Sequence, residues 1–375
     1  MTQHTALHAE HEKLGASFTD FGGWDMPLRY GSELAEHRAV REAAGLFDLS
    51  HMGEVWISGD EAAKFLNSAL VGNLAIMAIG KAKYSLICNE AGGIIDDLII
   101  YRIADTRFLV VPNAGNAKVV AAELAARAAG FDVEVEDASG ETSLIAVQGP
   151  AAEEIVVAMI SDEAQRGAVR ELGYYAWIPI RIDGIDIVLA RTGYTGEDGF
   201  ELFLPNGRAA ELWQRLLETG EPHGLLPCGL AARDSLRLEA GMPLYGNELG
   251  VDTTPFESGL GGVVSFKKDE DFIGRAALEQ AKAAGASRVL VGLSGTGRRA
   301  GRAGYAVHAL QDDGTPGAEI GQITSGLPSP TLGHPVAIAR IDAAYAEPGT
   351  ALAVDLRGKP EPFEVVTLPF YRRQA

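Results

Sequence analysis

The chain changes character near residue 285, and this change limits the folds it can adopt. Up to residue 284, stretches with helical periodicity alternate with strand-like stretches. From Val289 onward, glycine, proline and short strand-like runs dominate. Alternating helices and strands predict layered α+β packing, and short strands without long helices are typical of a barrel or sandwich. The sequence therefore predicts an α+β protein whose residues 285–375 form an all-β barrel domain.

Residues 1–284 are predicted to contain two interleaved α+β lobes. One lobe is centred on residues 55–137, where KAKYSLICN, the turn EAGG and IIDDLIIYRI form a β-hairpin before an alanine-rich helix. The other lobe repeats the theme, with the strand SLIAVQGP, a helix, and a pair of strands ending at FELFLP. Two helices are expected within the first 45 residues, on either side of the turn-rich segment FGGWDMPLRY.

Composition narrows the classes of partner. With 47% hydrophobic and 22% charged residues the chain is globular. Its formal net charge of -19 argues against nucleic acid and against an anionic membrane surface. Two cysteines, Cys88 and Cys228, provide no disulfide framework, which fits a reducing compartment. Without a signal-like N terminus or a long apolar run, a cytoplasmic protein is expected.

Two adjacent aspartates interrupt the apolar stretch GGIIDDLIIY, which runs from Gly92 to Tyr101. Its β-branched and aromatic residues favour a strand, in which successive side chains point to opposite faces. Asp96 and Asp97 must therefore face opposite sides, with one carboxylate aimed at the interior or at a pocket. Strand alternation alone does not choose between them.

A second carboxylate lies in the strand FELFLP. Phe200, Leu202 and Leu204 share one apolar face, so Glu201 points the other way, beside Phe203. A solvated strand face is the ordinary interpretation of such a position. The alternative is that Glu201 accepts paired N–H bonds from a planar heterocycle.

Charged groups elsewhere favour structural interpretations. In AARDSLRLEAG, Arg233 and Arg237 lie four residues apart, and Asp234 can reach Arg237, which predicts a solvated ion-pair face. The segment SGTGRRAGRAGY lacks the pattern of a phosphate-binding loop and predicts a basic β-turn. A solvated helix is also the favoured interpretation of three N-terminal histidines, and no metal site is expected there. These histidines are His4, His8 and His11.

Taken together, longer motifs identify a resemblance that covers essentially the whole chain. The sequence closely resembles the glycine cleavage system T-protein family of folate-dependent aminomethyltransferases. The motifs, in chain order, are SHMGE, NEAGGIIDDLIIY, VVPNAGN, LIAVQGP, RTGYTGEDGFEL and GLAARDSLRLEAGMPLYGN. The resemblance implies a three-domain cloverleaf around a central folate channel, with a C-terminal β-barrel. It also implies an enzyme of glycine catabolism and one-carbon metabolism, with tetrahydrofolate as co-substrate, no metal, and the lipoylated H protein as a transient partner.

The resemblance also implies roles for individual residues. The family's essential aspartate matches Asp97, its folate-binding glutamate matches Glu201, and its arginine in the AARD segment matches Arg233. Other positions that line the family's pocket match Met52, Tyr84, Val111, Asn113 and Tyr194. Arg372 or Arg373 matches a further folate contact. Strand parity then places Ile95, Ile99 and Tyr101 on the face of Asp97, and leaves Asp96 a structural role opposite, with Ile94, Leu98 and Ile100.

Two alternatives on the same scaffold are less favoured. A folate-dependent demethylase tends to lack the aspartate that GGIIDD retains. A non-catalytic folate-binding factor for iron–sulfur assembly carries a Lys-Gly-Cys segment, and VVSFKKDEDFIGR has no cysteine. We also expect a basic patch at the channel mouth, formed by Lys267, Lys268, Arg298, Arg299 and Arg302.

Overall fold

The computed structural model describes residues 2–373 and divides them into two compact units. The first unit comprises residues 2–87, 96–233 and 267–272. The second comprises residues 88–95, 234–266 and 273–373. None of the helices in this described part of the chain is long and apolar enough to cross a bilayer.

A small hairpin follows the first helix. The elements are α1 (His8–Lys13), β1 (Ser17–Phe21), β2 (Trp24–Arg29), α2 (Glu33–Glu42) and β3 (Ala44–Asp48). Gly22 and Gly23, with φ of +61° and +87°, form the turn between β1 and β2, where both positions require left-handed backbone. The segment predicted only as turn-rich therefore contains this turn and a second strand.

A five-stranded sheet, which lies almost wholly in the first unit, carries the two aspartates. It includes the predicted hairpin, and its strand order is fifth, sixth, seventh, fourth and eighth along the chain. The elements of this region are β4 (Val55–Ser58), α3 (Ala62–Ala69), β5 (Ala82–Cys88), β6 (Ile94–Ala104), β7 (Arg107–Pro112), α4 (Ala117–Arg127) and β8 (Glu134–Asp137).

The first unit also contains a six-stranded sheet. Its elements are β9 (Thr142–Gln148), α5 (Ala152–Ala158), α6 (Glu163–Glu171), β10 (Trp177–Ile182), β11 (Ile185–Ala190), β12 (Gly199–Pro205), α7 (Ala209–Gly220) and β13 (Leu225–Pro227). The strand order is β10-β11-β12-β9-β3-β13, in which only β13 and β3 run parallel. Three strands, β10 to β12, occupy the segment for which a pair was predicted. A core that includes Phe200, Leu202 and Trp213 packs on one face of this sheet.

The second unit ends in a closed barrel. Helix α8 (Leu230–Glu239) continues into this unit from the first, and α9 (Arg275–Ala284) precedes the barrel. The barrel strands are β14 (Arg288–Gly295), β15 (Ala306–Leu310), β16 (Pro316–Pro328), β17 (Pro335–Asp342), β18 (Ala351–Asp355) and β19 (Pro360–Val366). They close in the order β14-β17-β16-β15-β18-β19 around Leu293, Val307 and Val354. The prediction of an α+β chain with a C-terminal β-barrel is confirmed.

Candidate functional site

The two faces of β6 differ as strand alternation predicts. Asp96 is fully buried, and so are Ile94, Leu98 and Ile100 on its face. Asp97 and Ile99, on the opposite face, are half-buried. Both carboxylates are thus removed from bulk water, but only Asp97 keeps part of its surface accessible.

Asp97 is held by two donors. The Tyr84 hydroxyl on β5 donates to Oδ2 of Asp97 at 3.0 Å, and the Asn113 side-chain amide donates to Oδ1 at 2.8 Å. Burial raises the pKa of Asp97 to about 6, although both hydrogen bonds oppose the shift. The carboxyl group therefore changes charge near neutral pH, as suits a group that transfers a proton.

Asp96 fixes the residue that contacts Asp97. It accepts the Asn113 backbone N–H at 2.9 Å, the Asn113 amide at 2.9 Å and the Asn116 amide at 2.7 Å. Burial and the nearby charge of Asp97 raise the pKa of Asp96 to about 7. The Asn113 side chain thus lies between the two carboxylates, so that the orientation of its amide depends on both.

Glu201 is buried on β12, 7% exposed, and is not the solvated residue that its local pattern predicts. Its Oε2 accepts hydrogen bonds from the Thr192 hydroxyl and from the Tyr101 hydroxyl, the latter at 3.3 Å. Tyr101 and Thr192 are also hydrogen-bonded to each other at 3.0 Å. These hydrogen bonds fix the carboxylate through one oxygen, so Oε1 can accept donors from a ligand.

Arg233, on the first turn of α8, provides the cation of the site. Its guanidinium lies over the ring of Tyr194, 4.7 Å from the ring centroid. Burial lowers the pKa of Arg233, while the nearby Tyr194 and Glu201 oppose the shift. The same guanidinium and burial lower the pKa of His51 to about 4, burial being the larger cause, so this histidine is neutral. A cation stacked on an aromatic ring suits the binding of an anionic or carbonyl group.

Tyr175 is influenced by the charges of both carboxylates, and the sequence interpretation missed it. Burial is the main cause of the raised pKa of the Tyr175 phenol, followed by the neighbouring Tyr174 and then by the charges of Glu201 and Asp97. Tyr175 in turn contributes to the raised pKa of the Tyr84 and Tyr101 phenols. Its backbone has a φ of 56°, which is unusual for a residue with a side chain. The sequence Tyr174–Tyr175 does not predict a positive φ, so no sequence pattern could have identified Tyr175 as a site residue.

The remaining predicted residues are placed as follows. Val111 is buried and pairs with Ile99, which puts its side chain on the Asp97 face of the sheet. Met52 is half-buried and follows His51 in the loop after β3. Arg372 is exposed and belongs to the second compact unit.

Three interpretations of charged residues were wrong. Lys268 cannot contribute to a basic surface patch because it is 4% exposed and donates to the carbonyls of Leu70 and Gly72. Arg237 does pair with Asp234, but it is 1% exposed rather than solvated. His11 is fully buried rather than solvated, and its ring is hydrogen-bonded between two partners. These partners are the Asp48 carboxylate and the Tyr30 hydroxyl.

Cavity volume by itself does not locate these residues. A cavity of about 690 Å³ lies beside β8, β10 and β11, and its lining includes Trp56, Arg107 and Arg181. None of the predicted site residues lines it. The converging polar groups, rather than the size of a depression, therefore define the candidate site.

Comparisons with known proteins agree with this fold. Residues 7–268 match the family described as GCVT N-terminal domain, and residues 288–372 match the glycine cleavage T-protein C-terminal barrel domain. The chain is 57% identical to an aminomethyltransferase of Corynebacterium aurimucosum and 56% identical to one of Streptomyces avermitilis. Each alignment covers 99% of this chain and 98% of the relative.

A solved structure extends the similarity to three dimensions. The crystal structure of glycine cleavage system aminomethyltransferase T from Bartonella henselae superimposes with a TM-score of 0.89 at 39% identity. The match covers 99% of this chain and 98% of that one. The fold and these relatives define an enzyme of the aminomethyltransferase class. More narrowly, the chain belongs to the glycine cleavage system T-protein family.

Proposed function

We propose that this enzyme transfers the one-carbon unit of an aminomethyl group from the lipoyl arm of the H protein to tetrahydrofolate. The products are 5,10-methylenetetrahydrofolate, ammonia and the dihydrolipoyl H protein. Family membership supports the reaction class. The observation that carries the proposal is Asp97, a half-buried carboxylate fixed by hydrogen bonds from Tyr84 and Asn113.

The reaction replaces two bonds of the transferred carbon. The carbon–nitrogen bond breaks with release of ammonia, and the carbon–sulfur bond breaks with return of the lipoyl thiol. Two bonds form to N5 and N10 of tetrahydrofolate, whose two N–H protons balance the ammonia and the thiol. Because positive charge develops at the carbon and at N5, a fixed carboxylate nearby lowers the barrier. Holding N5 against the lipoyl carbon supplies a further large share of the rate.

Asp97 is the residue proposed for this role. Its two oxygens are already oriented by Tyr84 and Asn113, so little reorganisation is required when charge develops. We favour orientation of the nucleophile and electrostatic stabilisation over full general-base catalysis. The Tyr84 hydroxyl and the Asn113 amide would then act as positioning groups for the carboxylate.

Glu201 and Arg233 are proposed to bind the folate. The free Oε1 of Glu201 and its bound Oε2 can together accept the amino group and the ring N–H of the pterin. Arg233, oriented by its stacking on Tyr194, offers planar donors to a carboxylate or carbonyl of the ligand. Met52 and Val111 are proposed as apolar lining of the same pocket, and Arg372 as a contact to the folate from the C-terminal segment.

The organisation around this reaction is also proposed. Residues 1–284 would form the folate-binding region and residues 285–375 the barrel domain. The enzyme would act in the cytoplasm, in glycine catabolism, and would engage the H protein transiently.

The decisive experiment is an assay with aminomethylated H protein and tetrahydrofolate. We expect methylenetetrahydrofolate and ammonia to form in equal amounts. Tight folate binding without transfer would favour the assembly-factor alternative. Transfer of a methyl group from a small methylated amine or sulfonium, in place of the aminomethyl group, would favour the demethylase.

A further inference from the structure

The N-terminal segment brings two histidines and an aspartate together, far along the chain from the residues of the proposed reaction. The candidate ligand atoms of His4, His8 and Asp25 all lie within 4.8 Å of one another. Among the described residues, 2–373, these three form the group of histidine, cysteine and acidic side chains that could hold a metal ion. The sequence did not reveal it, because Asp25 lies on β2, 17 residues beyond His8.

The backbone holds this segment in place without a ligand. Gln3 N–H donates to Gly23 O at 2.8 Å, and Asp25 N–H donates to Gln3 O at 2.8 Å. Residues 3 and 24 thus form a parallel bridge that fixes the segment before α1 against β2. His4 and Asp25 directly follow the two bridged residues, so the entropy cost of bringing them together is already met by folding.

The side chains of the cluster remain available for coordination. The His8 Nδ1 atom is buried and has no hydrogen-bond partner in the described part of the chain. Its Nε2 lies 3.8 Å from Glu12 Oε1, which is beyond hydrogen-bond distance. A buried ring nitrogen without a partner is costly, and an electron-pair acceptor such as a metal ion would remove that cost.

We propose that His4, His8 and Asp25 form a zinc site that fastens the N-terminal segment to the β1–β2 hairpin. Two imidazole nitrogens and one carboxylate oxygen are a donor set that Zn²⁺ uses, with water as the fourth ligand. Zinc holds such atoms at about 2.0–2.2 Å in a tetrahedral arrangement, which places two ligand atoms about 3.4 Å apart. The present separations, which are at most 4.8 Å, therefore have to close by up to about 1.4 Å.

His4 is the residue that must move. Its ring is stacked on that of His8, with centroids 3.8 Å apart and planes inclined by 19°. Metal–imidazole bonds lie in the ring plane, so the two rings must tilt apart to direct their lone pairs at one ion. His4 is exposed and can rotate, whereas the His8 ring packs against that of Phe18, with ring centroids 4.7 Å apart.

The test is a Zn²⁺ titration of untagged full-length protein after removal of bound metal with a chelator. We expect one equivalent to bind in isothermal titration calorimetry. His4→Ala, His8→Ala and Asp25→Asn should each weaken binding by about tenfold or more. His223→Ala is the matched control. His223 Nδ1 lies 3.4 Å from Glu154 Oε2, but His223 does not belong to the cluster of His4, His8 and Asp25.

Two spectroscopic measurements separate a specific site from surface adsorption. Co²⁺ in place of zinc should give the visible bands of a four-coordinate nitrogen–oxygen site in wild type and in His223→Ala only. Zinc should also slow exchange of the Gln3 and Asp25 amide hydrogens. The proposal is overturned if wild type binds no zinc, if the three variants bind as tightly as wild type, or if His223→Ala loses binding equally.

Discussion

At the scale of single residues, the amide of Asn113 determines how the two aspartates are used. It donates to Asp96 Oδ1 and to Asp97 Oδ1, at 2.9 and 2.8 Å. Because Asp96 also accepts the Asn113 backbone N–H, the buried carboxylate orients the residue that orients the accessible one. Adjacent residues on opposite faces of β6 thereby act as one unit, with different tasks.

Asp97→Asn should reduce transfer by about 10²–10⁴-fold, because it removes the charge that would stabilise the developing cation. Folate affinity should change little, since Glu201 and Arg233 are retained. The measurement is single-turnover formation of methylenetetrahydrofolate, with folate binding measured separately. An activity near that of wild type would exclude both an electrostatic and a proton-transfer role for Asp97.

The pH dependence of the rate offers a test that does not remove the carboxylate. With the pKa of Asp97 at about 6, the rate should rise with pH through about 6 as the group ionises. The Tyr84 hydroxyl stabilises the ionised form, so Tyr84→Phe should raise the pKa of Asp97 and move this limb to higher pH. A pH–rate profile that is superimposable on that of wild type would show that the Tyr84 hydroxyl does not tune Asp97.

Asp96→Asn should act on stability in a pH-dependent manner. The native pKa of about 7 lies above the ordinary value of about 3.9, so native Asp96 retains a proton that the unfolded chain has released. Its contribution to the free energy of unfolding therefore decreases as pH rises from about 4 to about 7. Urea unfolding at pH 5 and pH 8 should show a smaller loss in the variant than in wild type. Equal losses would contradict the buried, protonated state.

At the scale of elements, the start of α8 is locked against the N-terminal region. The Gly229 N–H donates to Glu36 Oε2 at 2.9 Å, and the other oxygen of Glu36 accepts the N–H groups of Tyr30 and Gly31. Arg233 N–H then donates to Gly229 O at 3.1 Å. The hydrogen bonds at Gly229 therefore fix the first turn of α8, which carries Arg233.

Gly229→Ala should disturb this element. An added Cβ would lie 2.3 Å from the carbonyl carbon of Leu28 on β2, so α8 or the strand must shift. We expect a loss of about 1–3 kcal/mol in the free energy of unfolding and weaker folate binding. Gly207→Ala is the control, because its added Cβ meets nothing within 4 Å. The two variants are compared by urea unfolding and folate titration, and indistinguishable results would refute the locking role.

At the scale of the whole molecule, each compact unit combines an apolar core with buried charged groups. The first has a large apolar core, which includes Trp213. The second contains a buried charge network, in which Arg237 donates to Glu248 at 3.1 Å and to Ser325 at 2.8 Å. Both charged side chains are at most 1% exposed, and the Glu248 carboxylate depends on Arg237 for neutralisation, whereas Arg237 also pairs with Asp234.

Arg237→Met should cost about 3–5 kcal/mol, because it leaves the Glu248 carboxylate buried without its partner. Arg288→Met is the control, since its pair with Asp342 is largely exposed and contributes at most about 1 kcal/mol. Circular dichroism follows both units. Tryptophan fluorescence reports the unfolding of the first unit only, because that unit contains all four tryptophans. A circular dichroism midpoint equal to that of wild type would contradict the prediction.

The sequence predicts those features that local periodicity encodes. It separated the faces of β6, and it located the barrel by the loss of long helices. It could not predict the burial of Lys268 or His11, because their partners lie elsewhere in the chain: the carbonyls of Leu70 and Gly72 for one, and Asp48 and Tyr30 for the other. For the same reason Tyr175 and Asn116 were missed. The roles of Asp97, Glu201 and Arg233 remain predictions.

The shared amide of Asn113 also provides a built-in reporter. Its two hydrogens sense both carboxylates, so their NMR chemical shifts in isotope-labelled protein should follow two separate titrations through one signal pair. Assignment requires a single spectrum of Asn113→Ser, in which that pair disappears. The protonation states of Asp96 and Asp97 can then be followed during folate addition without a substitution at either aspartate.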